Sequence, residues 1–168
     1  MALVIEDGSQ VTSADSYVSR ADYIAYALTL GTVITDDVTA DNQLVKAAEY
    51  IGRHEDNLKG ERGTRDQALS FPRSGLYIDG WNWTSVEIPR QVILCQQAFA
   101  LDINAGIDLY NRPQNPNMIA KSKRVEGAVT IAYAVGDSTG QKLSQTSTGD
   151  ALLASLLNNN GLTVLTRS

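Results

Sequence analysis

The chain has 168 residues, 43% of them hydrophobic, which suits one ordinary domain with a single core and leaves little material for a second domain. No apolar run approaches the roughly 20 residues that cross a bilayer, and the N-terminus lacks the basic region of a signal peptide, so we expect neither membrane insertion nor export. The formal net charge is −5, and residues 1–50 hold eight acids against Arg20 and Lys46, which predicts an acidic surface that repels nucleic acid at short range.

The N-terminal part predicts a short strand followed by a first helix. Residues 2–5 are apolar and precede a turn sequence, as is typical of a strand. Ser19 with Asp22 three residues later resembles a capping box, and Gly31 favours the end of the helix that it opens. The residues predicted to share the apolar face of this helix are Tyr23, Ala27 and Leu30.

The second helix has the clearest amphipathic pattern in the chain. Thr39 or Asp41 can cap its start, because side-chain oxygens at that position accept from free backbone N–H groups. The apolar residues then fit the i, i+3, i+4, i+7 spacing of one helical face. They are Leu44, Ala47, Ala48 and Ile51.

A long polar and aromatic segment, residues 57–86, separates the second helix from the third. A loop of this length in a compact domain is usually functional or packed by its own side chains. Pro89 then suits the first turn of a helix, residues 92–103 are apolar on nearly every side, and Gly106 is placed to end it. We therefore expect the third helix to be the central helix of the core.

The C-terminal third predicts an irregular connection at 111–117, one strand and one helix. Residues 128–135 alternate in polarity, so one face of the strand carries Val129, Ile131, Tyr133 and Val135. Ser147 with Asp150 opens a fourth helix with a narrow leucine stripe, after which residues 162–168 form an extended tail. The stripe consists of Leu152, Leu153, Leu156 and Leu157.

These elements predict a mainly α fold: a small bundle of about four helices with one or two β-strands and an extended C-terminal arm. We expect one domain over 1–168, with a helical body at 1–110, a strand region at 120–136, and the last helix with its arm at 147–168. A lone strand leaves N–H and C=O groups unpaired along both edges, so it must pair with an end of its own chain or with a neighbouring chain.

The residues do not favour an enzyme or a metal protein. His54 is the only histidine and Cys95 the only cysteine, so the His and Cys ligands that zinc prefers are nearly absent and we expect no zinc site. We expect a solvated imidazole and a buried, inert thiol. The glycines at 60 and 63 lack the Gly-Lys-Ser/Thr ending of a phosphate loop. Aspartates at 36, 37 and 41 lack the spacing of a calcium loop and suit a helix start. We expect no catalytic residue, cofactor or metal.

The long segment is the one stretch that could bind nucleic acid, because single-strand binding combines cations with stackable rings. The alternative is that its aromatic residues pack the segment onto the bundle while its arginines pair with nearby acids, and the length of the segment favours this second interpretation. The candidate contacts under the nucleic-acid hypothesis are Lys59, Arg62, Arg65, Arg73, Trp81 and Trp83.

Four short motifs in order resemble one known family. They are MALVIEDG at 1–8, SADSYV at 13–18, QALSFPRSG at 67–75 and IPRQV at 88–92. Together they are similar to the phage proteins of the DnaT-like single-stranded DNA-binding family, over about residues 1–110 and more loosely over the predicted strand and last helix. Residues 111–120 and 136–147 match no motif of that family.

Proteins of this family are similar in size and helical plan to the head-to-tail adaptors of tailed bacteriophages, which form a twelvefold ring beneath the portal and extend its DNA channel. The resemblance implies a structural virion protein at the head–tail interface, present in the host cytoplasm before assembly. It also implies as partners other copies of the chain, the portal, tail or nozzle proteins, and passing double-stranded DNA without specific binding. An acidic subunit suits a conduit in which DNA must slide.

Under this hypothesis the strand at 128–135 joins subunits, and the C-terminal residues form a portal-docking arm. The candidate docking residues are Leu156, Leu157, Leu162, Val164, Leu165 and Arg167. Two alternatives remain open: a replication or recombination protein that binds single-stranded DNA, and a tail-completion or terminator subunit.

Overall fold

The computed structural model describes residues 3–110 and 147–158. Within these ranges the chain forms four α-helices and four short β-strands, so the mainly α prediction is confirmed. The predicted connection at 111–117, the strand at 128–135 and the tail at 162–168 lie outside the described residues. None of the helices that are described is both long enough and apolar enough to cross a membrane.

Helix α1 spans Arg20–Thr29 and begins as predicted. The Ser19 side chain accepts from the backbone N–H of Asp22, which satisfies one of the free donors at the helix start. Gly31 follows the C-cap with φ +77°, a left-handed conformation that favours glycine. The prediction for Leu30 is wrong: it is the C-cap residue and 59% exposed, because the helix ends one residue before it.

Helix α2 spans Asp37–Gly52 and starts earlier than predicted. Asp36, not Thr39 or Asp41, is the N-cap, and its carboxylate accepts from the backbone N–H of Thr39. The hydrogen bond from the Thr39 hydroxyl, and then that from the Thr39 backbone N–H, lower the pKa of Asp36. The acids at this helix start also bind α1, because Arg20 contacts Asp41 at 2.7 Å and Asp37 at 2.6 Å. The predicted apolar face is confirmed: Leu44, Ala47, Ala48 and Ile51 are all buried.

Helix α3 spans Arg90–Asn104 and is the central helix, as predicted, with α1, α2 and α4 packed around it. Two polar residues of this otherwise apolar helix are also buried: Gln96 fully and Gln97 nearly so. The Gln96 amide accepts from the backbone N–H of Tyr17 at 3.0 Å and donates to Leu44 O at 2.9 Å. One buried amide therefore joins three segments, which compensates for its desolvation.

Helix α4 spans Thr148–Leu156 and opens with the predicted capping box between Ser147 and Asp150. It packs on α3 so closely that a Cβ at Gly149 would lie 2.5 Å from the Phe99 ring. Backbone hydrogen bonds join its end to the start of the long segment: Lys59 N donates to Leu156 O, and Asn158 N donates to Asn57 O. The last helix is therefore part of the body.

The long segment contains more regular structure than the sequence suggested. A 3₁₀ turn at Glu55–Asn57 leads into two small antiparallel hairpins, and these replace the predicted continuous loop. The first hairpin pairs β1 (Glu61–Arg62) with β2 (Arg73–Ser74). The second pairs β3 (Leu76–Ile78) with β4 (Trp81–Trp83).

The predicted N-terminal strand is wrong in its described part. Ile5 makes a single parallel bridge to Ser16, and backbone hydrogen bonds join residues 4–6 to 15–16 without forming a strand. A buried side chain holds the turn that follows. The Glu6 carboxylate, 2% exposed, accepts from the backbone N–H groups of Gly8, Gln10 and Val11 at 2.8–2.9 Å. A compact turn around one carboxylate therefore replaces a strand.

Candidate functional site

Arg73 is a structural residue within the long segment. Its side chain is 5% exposed, and its guanidinium donates to three backbone carbonyls: Lys59 O at 2.9 Å, Gly60 O at 2.8 Å and Ser70 O at 3.3 Å. Burial lowers the pKa of Arg73, while the nearby Glu55 carboxylate, 3.6 Å away, acts in the opposite direction. Because its donors are occupied inside the protein, Arg73 is not available to a phosphate.

Two more of the predicted cations also serve the fold. Arg62 contacts Glu55 at 2.7 Å and donates to Gln67 O at 3.2 Å. Lys59 donates through Nζ to Ser155 O at 2.7 Å, which links the segment to α4. Three of the four cations proposed as nucleic-acid contacts therefore hold the segment together, as the packing interpretation of the sequence predicts.

Arg65 and Arg90 remain exposed. Neither side chain makes an ion pair or hydrogen bond with any residue inside 3–110 or 147–158. Arg90 is the first residue of α3 and was not a candidate in the sequence analysis, because nothing in its local sequence placed it beside the long segment.

The aromatic residues of the segment divide into buried and exposed members. Phe71 is fully buried, and Trp83 is half-buried against the core, with its indole N–H lacking an acceptor among the described residues. Tyr77 is 57% exposed and Trp81 is 73% exposed. Two large rings on one hairpin thus face solvent.

The β3–β4 hairpin fixes these exposed rings in place. Asp79 (φ +52°) and Gly80 (φ +86°) form its two-residue turn, the pair that a type I′ hairpin requires. Leu76 and Ile78 are buried and fasten β3 to the core. Gln91 of α3 donates to Asp79 at 2.5 Å, which ties the turn to the first turn of α3.

The charges of the described part are strongly unbalanced. Residues 3–110 and 147–158 carry 17 acids and eight bases. Apart from Arg65 and Arg90, several of these bases contact carboxylates or carbonyls, as Arg20, Arg62 and Arg73 do. An approaching polyanion therefore meets a repulsive field, except where local cations reduce it.

The two residues considered for catalysis, Cys95 and His54, are both at least partly buried. Cys95 is fully buried, its Sγ lies 3.5 Å from Gly149 O, and burial raises the pKa of the thiol. His54 is half-buried with its ring edge against Tyr50, and partial burial lowers its pKa. Among the residues with described positions, no group of three or more His, Cys, Asp or Glu could hold a metal ion. The expectation of no enzymatic activity stays a prediction.

Two of the predicted docking residues lie in the body of the protein. Leu156 is fully buried, and Leu157 packs partly against the core and bridges to Leu58. Their side chains could reach a partner only if the end of α4 left α3, so this part of the arm prediction does not fit the structure. The other docking residues and the strand residues lie outside the described ranges; they are Leu162, Val164, Leu165, Arg167, Val129, Ile131, Tyr133 and Val135.

Comparison with known proteins identifies a family for this chain. The sequence model of a family described as "Putative DnaT-like ssDNA binding protein" matches residues 1–168. No curated protein and no solved structure matches the chain.

Proposed function

We propose, from the premise that this chain belongs to the family described as putative DnaT-like ssDNA-binding proteins, that it binds single-stranded nucleic acid through the β3–β4 hairpin. The observation that carries the proposal is the exposure of Trp81 and Tyr77 on one hairpin. Tyr77 lies on the face opposite to the buried Leu76 and Ile78, and Trp81 lies beside the turn, paired with Ile78. Base stacking on aromatic rings is the contact that single-strand binding shares across sequences.

The hairpin suits stacking because little entropy is lost when a base binds to rings that are already held. Leu76 and Ile78 fix β3, and the Gln91–Asp79 hydrogen bond fixes the turn. Arg90 is exposed and precedes Gln91 in sequence, and we assign it as the cation that approaches one backbone phosphate. The contact set therefore differs from the sequence hypothesis: Trp81 stays, Tyr77 and Arg90 join, and the structural arginine at 73 leaves.

We expect the affinity for single-stranded nucleic acid to be weak, because few bases can stack and few phosphates can be neutralised. One stacked base contributes about 1–3 kcal/mol, so two bases give about 2–6 kcal/mol, or a Kd of tens of micromolar at the strongest. The surplus of acids adds no attraction. Because one or two phosphates at most are neutralised, log K should fall with log salt with a shallow slope of roughly −1.

The test uses the two tryptophans separately. In Trp83→Phe, all tryptophan emission comes from Trp81, and the change costs little because the buried indole N–H has no acceptor. We expect oligothymidine to quench this emission in a saturable way. In Trp81→Phe, the remaining emission comes from half-buried Trp83 and should not respond.

The matched control is Val33→Ala, an exposed apolar residue far from the hairpin in sequence, which should bind like the wild-type chain. The proposal fails if Trp81 emission is unchanged at millimolar oligonucleotide. It also fails if the Trp81→Phe variant binds with undiminished affinity by anisotropy of a labelled strand.

We propose as a second candidate the head-to-tail adaptor of a tailed phage, on the resemblance and on two observations. The described surface is acidic, as suits a wall along which DNA slides, and apolar side chains are exposed at the α1–α2 connection. In this role the chain would form a ring below the portal, with tail or nozzle proteins on its other side. A tail-completion or terminator subunit would carry the same features but would contact the tail.

Co-sedimentation with purified portal rings separates these candidates. An adaptor should sediment with the portal, and removal of residues 159–168 should abolish this while the protein stays folded. A chain that binds oligonucleotide but never sediments with portal would exclude the adaptor role, and the opposite pair of results would exclude the first proposal.

A further inference from the structure

The two exposed rings of the β3–β4 hairpin have different neighbours across the strands. Tyr77 lies directly opposite Asn82, whereas Trp81 lies opposite Ile78. Side chains that are directly opposite in an antiparallel pair project from the same face and interact with each other. Of the two rings, Tyr77 therefore has a hydrogen-bonding side chain as its direct partner, and Trp81 has an apolar one.

The two-residue turn brings the side chains of Tyr77 and Asn82 close together. Ile78 and Trp81 flank the turn at Asp79-Gly80, and the pair that closes such a turn is hydrogen-bonded. Hydrogen-bonded and non-hydrogen-bonded pairs alternate along an antiparallel ladder, so Tyr77 and Asn82 form a non-hydrogen-bonded pair. The Cα atoms of such a pair are about 4.5 Å apart, and its side chains are the closer ones. The Asn82 amide can therefore reach the edge of a planar group that lies on the Tyr77 ring.

The Asn82 side chain is exposed and does not serve the fold. It makes no hydrogen bond with any residue inside 3–110 or 147–158. The carboxylate of the turn, on Asp79, differs in this respect because it accepts from Gln91. Asn82 therefore offers both a donor and an acceptor beside an exposed ring, which is what the recognition of an unpaired base requires.

The chemistry of a primary amide selects among the bases. The amide presents a donor next to an acceptor, and it makes two hydrogen bonds at once with a base edge that presents the complementary pair. Adenine has this pair on both edges that are free in a single strand, because its N6 amino group lies beside N7 on one edge and beside N1 on the other. Adenine can therefore be read in either of two orientations on the ring.

We propose that Asn82 is the specificity-determining residue of the hairpin, which reads the edge of the base stacked on Tyr77 and favours adenine. The inference rests on the proposed binding of single-stranded nucleic acid through this hairpin. The base on Trp81 is bound by stacking alone, since its cross-strand partner Ile78 is apolar and buried. One base of the bound strand is selected, and its neighbour on Trp81 is not.

Two labelled octamers that differ by one functional group test the selection of adenine. One is oligodeoxyadenosine, and the other carries unsubstituted purine, which keeps the fused rings and both ring acceptors but lacks the 6-amino donor. Fluorescence anisotropy at low salt gives the two Kd values. We expect the wild-type chain to bind the adenine octamer about fivefold more tightly, which is the lower end for a bidentate amide contact because this one is exposed to water.

Two substitutions at position 82 test the role of the amide. Asn82→Ala removes it, and Asn82→Val removes it while supplying a residue that favours strands, so a loss of the hairpin is separated from a loss of the amide. Both variants should bind the two octamers with affinities that differ by less than about twofold. The matched control is Asn42→Ala, which removes an exposed amide of α2 that also has no hydrogen-bond partner among the described residues and should keep the adenine preference.

Equal binding of the two octamers by the wild-type chain would overturn the assignment of Asn82. An adenine preference that persists in both position-82 variants would overturn it as well. In either case, oligothymidine binding that is lost in Trp81→Phe would leave the proposed function standing. A wild-type chain that binds neither octamer nor oligothymidine would overturn the proposed function and this inference together.

Discussion

Replacement of Arg73 by leucine distinguishes a structural arginine from a nucleic-acid contact. The guanidinium occupies three backbone carbonyls, and its side chain is 5% exposed. Leucine fills part of the volume but donates nothing, so the carbonyls of Lys59, Gly60 and Ser70 lose a charged donor. Glu55 keeps Arg62 but loses its second cation.

The expected cost is about 3–5 kcal/mol, the range for removal of one partner from a buried charged network. The sum of three separate charge-assisted hydrogen bonds would be larger than this cost. The sum overestimates the cost because hydrogen bonds that share one guanidinium are not additive. For a domain of this size, 1 kcal/mol moves Tm by about 2–4 °C, so Tm should fall by about 6–20 °C.

Urea denaturation followed by circular dichroism measures the effect, with Arg65→Leu as the control. Arg65 is exposed and has no partner among the described residues, so its change should stay within about 0.5 kcal/mol. The reasoning is refuted if Arg73→Leu is as stable as the wild type. Retained stability together with lost oligonucleotide binding would restore Arg73 to the nucleic-acid site.

Three further predictions follow from single groups. Burial lowers the pKa of His54 in the folded protein, so the unfolded chain binds more protons between the folded pKa and 6.5. The free energy of unfolding should therefore fall as pH drops from 6.5 toward the folded pKa. His54→Gln should reduce this dependence of the unfolding free energy on pH, measured by urea titrations at several pH values. The thiol of Cys95 should not react with a disulfide reagent in the native protein and should react fully in denaturant; fast native labelling would show that α4 opens. Gly8→Ala should reduce the free energy of unfolding by more than about 2 kcal/mol, because its Cβ would lie 2.1 Å from Val86 O at φ +104°. Gly31→Ala meets no atom within 4 Å and should reduce it by only about 1 kcal/mol. Equal losses of stability in thermal unfolding would contradict the packing of the N-terminal turn.

The helices could be predicted because their signals are local. Ser19 and Ser147 form caps with the residue three positions later, and the spacing of Leu44 to Ile51 marks one face of α2. The start of α2 was misplaced because three oxygen-bearing residues, Asp36, Thr39 and Asp41, compete for the cap in sequence. Only the structure shows that Asp41 is instead bound to Arg20.

The long segment could not be predicted in detail because distant residues organise it. Two-residue strands carry too little pattern to detect, and the sites that bind Arg73 include backbone carbonyls 13 and 14 residues away. The hairpin turn was the one readable signal: Asp79-Gly80 between aromatic and aliphatic residues favours a type I′ hairpin. That pattern would have placed Tyr77 and Trp81 on one hairpin.

The buried polar residues of α3 show a similar limit. Gln96 and Gln97 interrupt the apolar pattern of the helix, yet both are buried. Gln96 is accepted in the core because Tyr17 and Leu44 supply hydrogen-bond partners 79 and 52 residues away. Periodicity alone cannot reveal partners at that distance in the chain.

The most direct test of single-strand binding through the hairpin is to follow the indole N–H signals of both tryptophans in ¹⁵N-labelled protein during an oligothymidine titration. The account predicts that the Trp81 signal moves progressively with added strand, together with the backbone signals of Tyr77 and Arg90, while the Trp83 signal stays in place. Signals of the hairpin that remain unchanged, with or without shifts elsewhere in the chain, would contradict it.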